Sequence, residues 1–489
     1  MTKDQKHAPI LEAIQKYHAD GIIPFTTPGH KKGTSVLEND KIALGPDPYF
    51  NDITMQNGAD DRKESKGVQE SAEKLMASAV GADQSFFSTN GSSLSVHVAV
   101  LSVANVGEKI LVVRNTHKSM IAALIMADVT PVFLQPVIDN EQDIEHGITP
   151  QYLEEMLEVH KDAKAVLIVS PTYYGIVSDV RSLSKICHKH DIPLIVDEAW
   201  GPHFPFHPQL PPSALSCGAD MSFGSIHKTM NGISQTSIIN VKGDRIDKDR
   251  FTLCFDLYES TSPSSLMLAT IDIARRQMAL HGEELWGNAL MLARKARKEL
   301  KKLKGLTVID KDILKKPGTF AFDETKLTMD VSKLGVTGYM AADWILENYK
   351  ITFELITNRH LMAVISTGDT KDTVNLLIES IKSMYEWTKK TRQNSFVPLP
   401  HHTELGTQLV MTPAKAFFGP TENIPIDKAE GQIVAEMVSP YPPGIPRLLP
   451  GERITKSIIE YLKKGSDAGM FALDPVDQKL KKLRVVKLN

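Results

Sequence analysis

Between residues 65 and 245, short apolar runs alternate with longer stretches of helical periodicity, and this alternation narrows the possible folds more than any other feature. Runs such as AVLIVS (165–170) and PLIVD (193–197) are continuously apolar, which is the pattern of strands covered on both faces of a parallel sheet. Strands are expected at 109–114, 132–135, 165–170, 193–197, 221–224 and 237–241. The intervening periodicity predicts helices over 116–128, 150–160 and 180–190. An α/β class follows, with helices layered on a mostly parallel sheet.

At 489 residues the chain exceeds one ordinary core. An N-terminal arm is expected over 1–60, a large domain over 61–310, a small α/β domain over 311–395 and a further C-terminal domain over 396–489. A long helix, about 264–303, leads out of the large domain. Residues 327–391 then read strand, helix, strand, strand, helix. After Gln393 the texture turns Pro-rich (PLPHH, SPYPPGIPRLLPGE), with one helix near 457–464. The first 21 residues read as an amphipathic helix without the apolar centre of a signal peptide.

With 56 basic against 59 acidic residues, the chain has no field for nucleic acid or an anionic membrane. Cys187, Cys217 and Cys254 have no metal-ligand spacing and are too few for a disulfide framework, so no metal is expected. No apolar stretch approaches the length of a membrane span. A soluble, cytoplasmic protein is the expectation.

Open parallel sheets carry their functional residues beyond the carboxyl ends of the strands. Five motifs fall there. Gly91, Ser92 and Ser93 open a helix, where free amides and hydroxyls suit a phosphate dianion or simply form an ordinary cap. His117 follows the strand ILVVR, placed to stack on a flat ring or to cap the next helix. Thr172, after AVLIVS, offers a hydroxyl in a turn. Asp197 closes PLIVD, where a buried carboxylate needs a cationic or hydrogen-bonding partner. Ser225, His227 and Lys228 follow MSFG. A lysine that forms a Schiff base, with a carboxylate that keeps a pyridine nitrogen protonated, is what pyridoxal 5′-phosphate (PLP) requires of a protein. Alone, Lys228 would read as a surface lysine; the ordered set argues otherwise.

In that order the motifs resemble the ornithine/lysine/arginine decarboxylases, fold-type I PLP enzymes related to aspartate aminotransferase. The resemblance runs from TPGHK (27–31) through NGSS, RNTHKS, SPTYYG, VDEAW, SIHK and SQTS to STSPS (260–264) and SPYPPGIPRLLPGE (439–452). It implies Lys228 as the Schiff-base lysine, Asp197 as the pyridine-nitrogen partner and His117 as the stacking ring. It also implies Ser92, Ser93, Ser225 and His227 as phosphate contacts, and a homodimer or higher oligomer with sites at the subunit boundary. Thr261 and Ser262 would then reach a neighbour's phosphate, or instead cap the long helix. The chain resembles the compact branch, which lacks an N-terminal wing domain and includes biosynthetic arginine decarboxylases. Trp200 stands where many compact relatives have histidine, and ITMQNGADDRKESKG departs from the usual DLTE…DDLH pattern.

The implied reaction is α-decarboxylation of a basic amino acid, arginine ahead of lysine or ornithine, giving CO2 and a polyamine precursor such as agmatine, cadaverine or putrescine. Lys228 or His227 would return the proton to Cα. Glu436 is the first candidate partner for the substrate's distal cation, ahead of Asp52, Asp60 and Asp61; a surface carboxylate is the plainer reading. Trp200 and His30 are expected on the substrate side. An aminotransferase shares the lysine and aspartate but needs an arginine clamp, for which Arg359, Arg447 and Arg453 are available. A non-catalytic regulatory relative is the other alternative.

Overall fold

A computed structural model of the chain describes residues 4–55, 67–391, 396, 398–400, 404–441 and 444–488. Asp60 and Asp61, the domain boundaries expected at 60 and 395, most of the atypical segment 53–67, His401-His402 and the two prolines of YPPG lie outside the described residues. The chain forms two compact units, Met1–Ser102 with Ile195–Leu285, and Val103–Leu194 with Trp286–Asn489.

The principal strands are β1 (Gln84–Ser88), β2 (Lys109–Val113), β3 (Thr130–Leu134), β4 (Ala163–Val169), β5 (Leu194–Asp197), β6 (Met221–Ser225) and β7 (Ser237–Val241). Those of the first unit lie in the order β1, β7, β6, β5. Here β5 and β6 are parallel, whereas β7 runs antiparallel to both neighbours. The reversal follows from the connection: eleven residues join β6 to β7, too few for the helical crossover that a parallel return demands. In the second unit β2 lies between β4 and β3 and is parallel to both. Val112, Leu167 and Ile195 are 0–2% exposed, as continuous apolar strands require.

The expected helices form at Lys118–Ala127, Pro150–Val159 and Val180–Lys189. Each has a side-chain cap, from His117, Thr149 and Asp179 respectively, which accepts an otherwise unpaired amide of the first turn. The long helix spans Ser265–Leu300. Within the first unit its Asp272 and Arg275, both fully buried, anchor the N-terminal helix Pro9–Ala19. Asp272 accepts the Ile10 amide at 3.1 Å, and Arg275 donates to the carbonyls of Gln5 and His7.

In the second unit, Lys326–Asp330, Leu355–Ile356 and His360–Val364 join Thr307–Val308 in an antiparallel sheet under helices Gly338–Tyr349 and Lys371–Thr391. Leu327, Met329, Leu361 and Ile381 form its core. The first strand of residues 327–391 stops at Asp330, because Asp330 accepts the Ser332 amide and a 3-10 turn ends at left-handed Gly335. A separate core of Val434, Val438, Leu448, Ile458 and Leu483 organises the C-terminal residues around helix Lys456–Asp467. Among the described residues no helix is long and apolar enough to cross a membrane.

Candidate active site

In the first unit β5 and β6 end side by side, with Asp197 opposite Phe223 in register. Asp197 closes its strand 7% exposed, and its carboxylate accepts the Ala199 amide at 3.0 Å. Burial raises its pKa, against the opposing pull of that amide and of the Lys228 charge. β6 runs directly into Ser225 and the helical turn Ile226–Thr229, which carries His227 and Lys228. The Lys228 Nζ lies 4.4 Å from the centre of the Trp200 ring, itself 6% exposed. Trp200 of the strand-end motif thus packs against the lysine, and Asp197 feels its charge.

His227 Nδ1 is 2.9 Å from the Thr236 carbonyl, an acceptor only, so Nδ1 carries the proton and Nε2 is left as the basic nitrogen. The hydroxyls of Ser92 and Ser225 are 2.7 Å apart. Ser92 sits in the first turn of helix Gly91–Val103, and the Gly91 amide is anchored to the Gln235 carbonyl at 2.8 Å. Gly91 needs its glycine, since its φ is +72°. Ser93, in the same turn, is exposed.

Thr261 and Ser262 are also exposed, and the capping role open to them goes elsewhere: the helix begins at Ser265, and Ser264 Oγ accepts the Met267 amide. His30 Nδ1 accepts the Gly33 amide, so its Nε2 donates to Asp52, 3.2 Å away. Both ring nitrogens are therefore engaged within the N-terminal arm.

In the second unit, His117 caps helix Lys118–Ala127 through Nδ1, which accepts the Ser119 amide. Gly444 of the YPPG motif packs on it: the Lys118 amide donates to the Gly444 carbonyl at 3.1 Å, and a Cβ built at 444 would lie 3.4 Å from His117 Nε2. Thr172 is buried, with its hydroxyl accepting the Ile176 amide across a tight turn. Beside it Tyr173 donates to Glu354 at 2.6 Å.

Glu436 is 5% exposed, and its two oxygens accept the Val476 and Arg484 amides at 2.9 and 2.7 Å. Its geometry is that of a cross-brace within the C-terminal core. The arginines available for a carboxylate clamp are engaged as well. Arg447 pairs with Glu145 at 2.5 Å, Arg359 with Asp330 at 2.5 Å, and exposed Arg453 donates to the Gly431 carbonyl. Burial works to lower the Arg447 pKa, but the Glu145 carboxylate and neighbouring tyrosines raise it overall.

The sequence reading gave no role to Glu354 or to Glu198. Consecutive acids at the end of an apolar strand, Asp197-Glu198, were the available signal for the second. Nothing local marks Glu354, whose partner lies 181 residues away.

Comparison with known proteins decides the family. The family described as Orn/Lys/Arg decarboxylase, major domain, matches residues 8–373, and its C-terminal domain matches residues 401–470. The chain belongs to this family. Arginine decarboxylase of Halalkalibacterium halodurans is 36% identical over 99% of this chain and 98% of its own length. Arginine decarboxylase of Bacillus subtilis is likewise 36% identical over 99% and 98%. The Escherichia coli inducible lysine decarboxylase is 26% identical, covering 94% of this chain and 77% of its own. Among solved structures, the E. coli constitutive lysine decarboxylase superposes with a TM-score of 0.80 at 23% identity, covering 99% of this chain and 82% of its own. That likeness establishes the Orn/Lys/Arg decarboxylase fold, a mostly parallel α/β architecture with a C-terminal domain.

Proposed function

We propose that this Orn/Lys/Arg decarboxylase removes the α-carboxylate of arginine as CO2, using PLP. The substrate choice rests on the arginine decarboxylases that match nearly end to end. One observation supports the chemistry above the rest: a buried carboxyl, a half-buried lysine amine and a paired-hydroxyl helix N-terminus occur within one unit. These residues fit PLP. Asp197, its pKa raised by burial and opposed by the Ala199 amide and the Lys228 charge, suits a protonated pyridine nitrogen. The Ser92–Ser225 pair at the start of a thirteen-residue helix suits a phosphate dianion.

When bound through its aldehyde to Lys228, PLP supplies an electron sink for the pair released as the Cα–carboxylate bond breaks. The protein's part is then as follows. Asp197 holds a proton at the pyridine nitrogen. Gly91, Ser92, Ser93, Ser225 and His227 would hold the phosphate. The family resemblance would give His117 the role of ring-stacking residue and Thr172 that of a cofactor contact. The Trp200 face shields the Lys228 amine from water, which favours loss of a charged carboxylate. Lys228, freed once substrate takes its place, returns a proton to Cα; His227 Nε2 is the second candidate.

For the distal guanidinium Glu436 stays the candidate beside its bracing role, its two oxygens accepting the Val476 and Arg484 amides. His30 with Asp52 stays a weaker substrate-side candidate. A homodimer, with Thr261 and Ser262 on a neighbour's phosphate, a cytoplasmic location and the four-part domain division remain parts of this proposal. CO2 release from arginine, lysine, ornithine and a neutral amino acid, by PLP-loaded protein and by Lys228→Ala, tests it. Arginine-selective release that vanishes in the variant is expected. Pyridoxamine phosphate formed from pyruvate or 2-oxoglutarate, without CO2, would favour the aminotransferase.

A further inference from the structure

Glu198 has no part in the chemistry above, yet it is the most thoroughly buried acid next to it. The residue is 6% exposed and follows Asp197 directly. Its backbone amide donates to the Phe223 carbonyl at 3.0 Å, continuing the β5–β6 pairing one step past the end of β5. Its side chain accepts the Ala214 amide at 2.8 Å and is hydrogen-bonded to Ser222 of β6. One residue therefore ties three segments: the end that presents Asp197, the strand that delivers Lys228, and the loop between them.

We propose that Glu198 is a positioning residue that fixes the ends of β5 and β6 against each other, so that Asp197 and Lys228 meet one cofactor. This rests on the assignment of those two residues to PLP. Strands pair through backbone bonds alone, and such pairing frays at its ends. A side-chain brace placed one residue beyond Asp197 opposes that fraying where alignment matters.

The surroundings suit a neutral carboxylic acid. Beside Glu198 is a cavity of about 10 Å3, room for about one water, lined by Ser213, Ser222, Asn240, Pro202, Ile238 and their neighbours. None of the described residues lining it is a cation; nearby Asp197 repels a second negative charge. Burial chiefly, then Asp197, pushes Glu198 up to about 8, against the Ala214 amide and Ser222 hydroxyl that favour its charged form. A protonated acid can accept from Ala214 with one oxygen and donate to the Ser222 hydroxyl with the other. Glutamine reproduces both bonds; alanine reproduces neither.

The test compares wild type, Glu198→Gln, Glu198→Ala and Ser222→Ala. The readouts are PLP affinity of the apo-protein by absorbance titration and the pH midpoint of the bound cofactor's absorbance. Glu198→Gln is expected within about twofold of wild-type affinity, and Glu198→Ala weakened at least about tenfold, the scale of one good hydrogen bond lost. The absorbance midpoint should move in Glu198→Ala and not in Glu198→Gln. Should Glu198→Ala fail to fold, Ser222→Ala carries the same test, with a loss of about threefold expected. Unchanged affinity and midpoint in the folded alanine variants, whatever their stability, overturn the positioning role. Absence of any Lys228-dependent absorbance in wild type instead overturns the cofactor assignment beneath it.

Discussion

The ammonium of Lys228 lies over the face of Trp200, 4.4 Å from the ring centre. The indole is buried by its own surroundings, so it forms a fixed wall rather than a mobile cover. Such a contact is worth about 0.5–2 kcal/mol, a factor of ~2–30. Trp200→Leu keeps an apolar side chain but removes the π face. Apo-protein carrying it should acylate faster at Lys228 with an amine-reactive reagent, followed by peptide mass spectrometry. Equal labelling rates would show that the ring does not guard the amine.

Asp197→Asn preserves shape and removes the charge that would hold the pyridine proton. The variant should still capture PLP, while kcat falls by about 10²–10³, the usual cost of losing one electrostatic stabiliser at a reacting centre. Steady-state CO2 release decides it. A loss under about fivefold would mean that Asp197 is not the nitrogen's partner.

Glu436 separates two readings cleanly. As a cross-brace accepting two amides, its change to alanine should cost about 1–3 kcal/mol in urea unfolding while leaving KM for arginine unaltered. A large KM effect at Glu436 would give it the distal cation as well.

Glu198 predicts a pH dependence of folding. Its folded pKa, about 8, lies above its ordinary 4.5, so the folded state holds the proton more tightly across that interval. Its contribution to stability is present in full below pH 4.5 and declines as pH rises toward 8, where it levels off. Glu198→Gln abolishes this decline. The difference in unfolding free energy between variant and wild type should therefore grow in the variant's favour from pH 5 to 8. A difference constant with pH would mean that Glu198 ionises normally.

Much of this was legible beforehand because it is local. Continuous apolar runs gave β2, β4, β5 and β6 to within a residue or two at most ends, and the capped helices between them. Asp197, Ser225 and Lys228 could be placed at strand ends for the same reason. β1 was missed because QSFFS merges into the NGSS turn and lacks the continuous aliphatic run that marked the other strands. What stayed hidden depends on partners distant in sequence. The Tyr173–Glu354 bond, the amides that occupy Glu436 and the anchoring of residues 5–10 by Arg275 and Asp272 join segments 40 to 270 residues apart. A carboxylate looks alike in sequence whether it awaits a substrate or already holds a backbone.

Gly444 is confined twice over. Its φ of +83° disfavours any side chain, and a β-carbon there would already touch the imidazole of His117, leaving little room for a longer one. Were that codon randomised and the population selected for growth on the enzyme's product, glycine should return almost alone, even though residue 444 carries no chemistry. The left-handed backbone would be choosing its own residue.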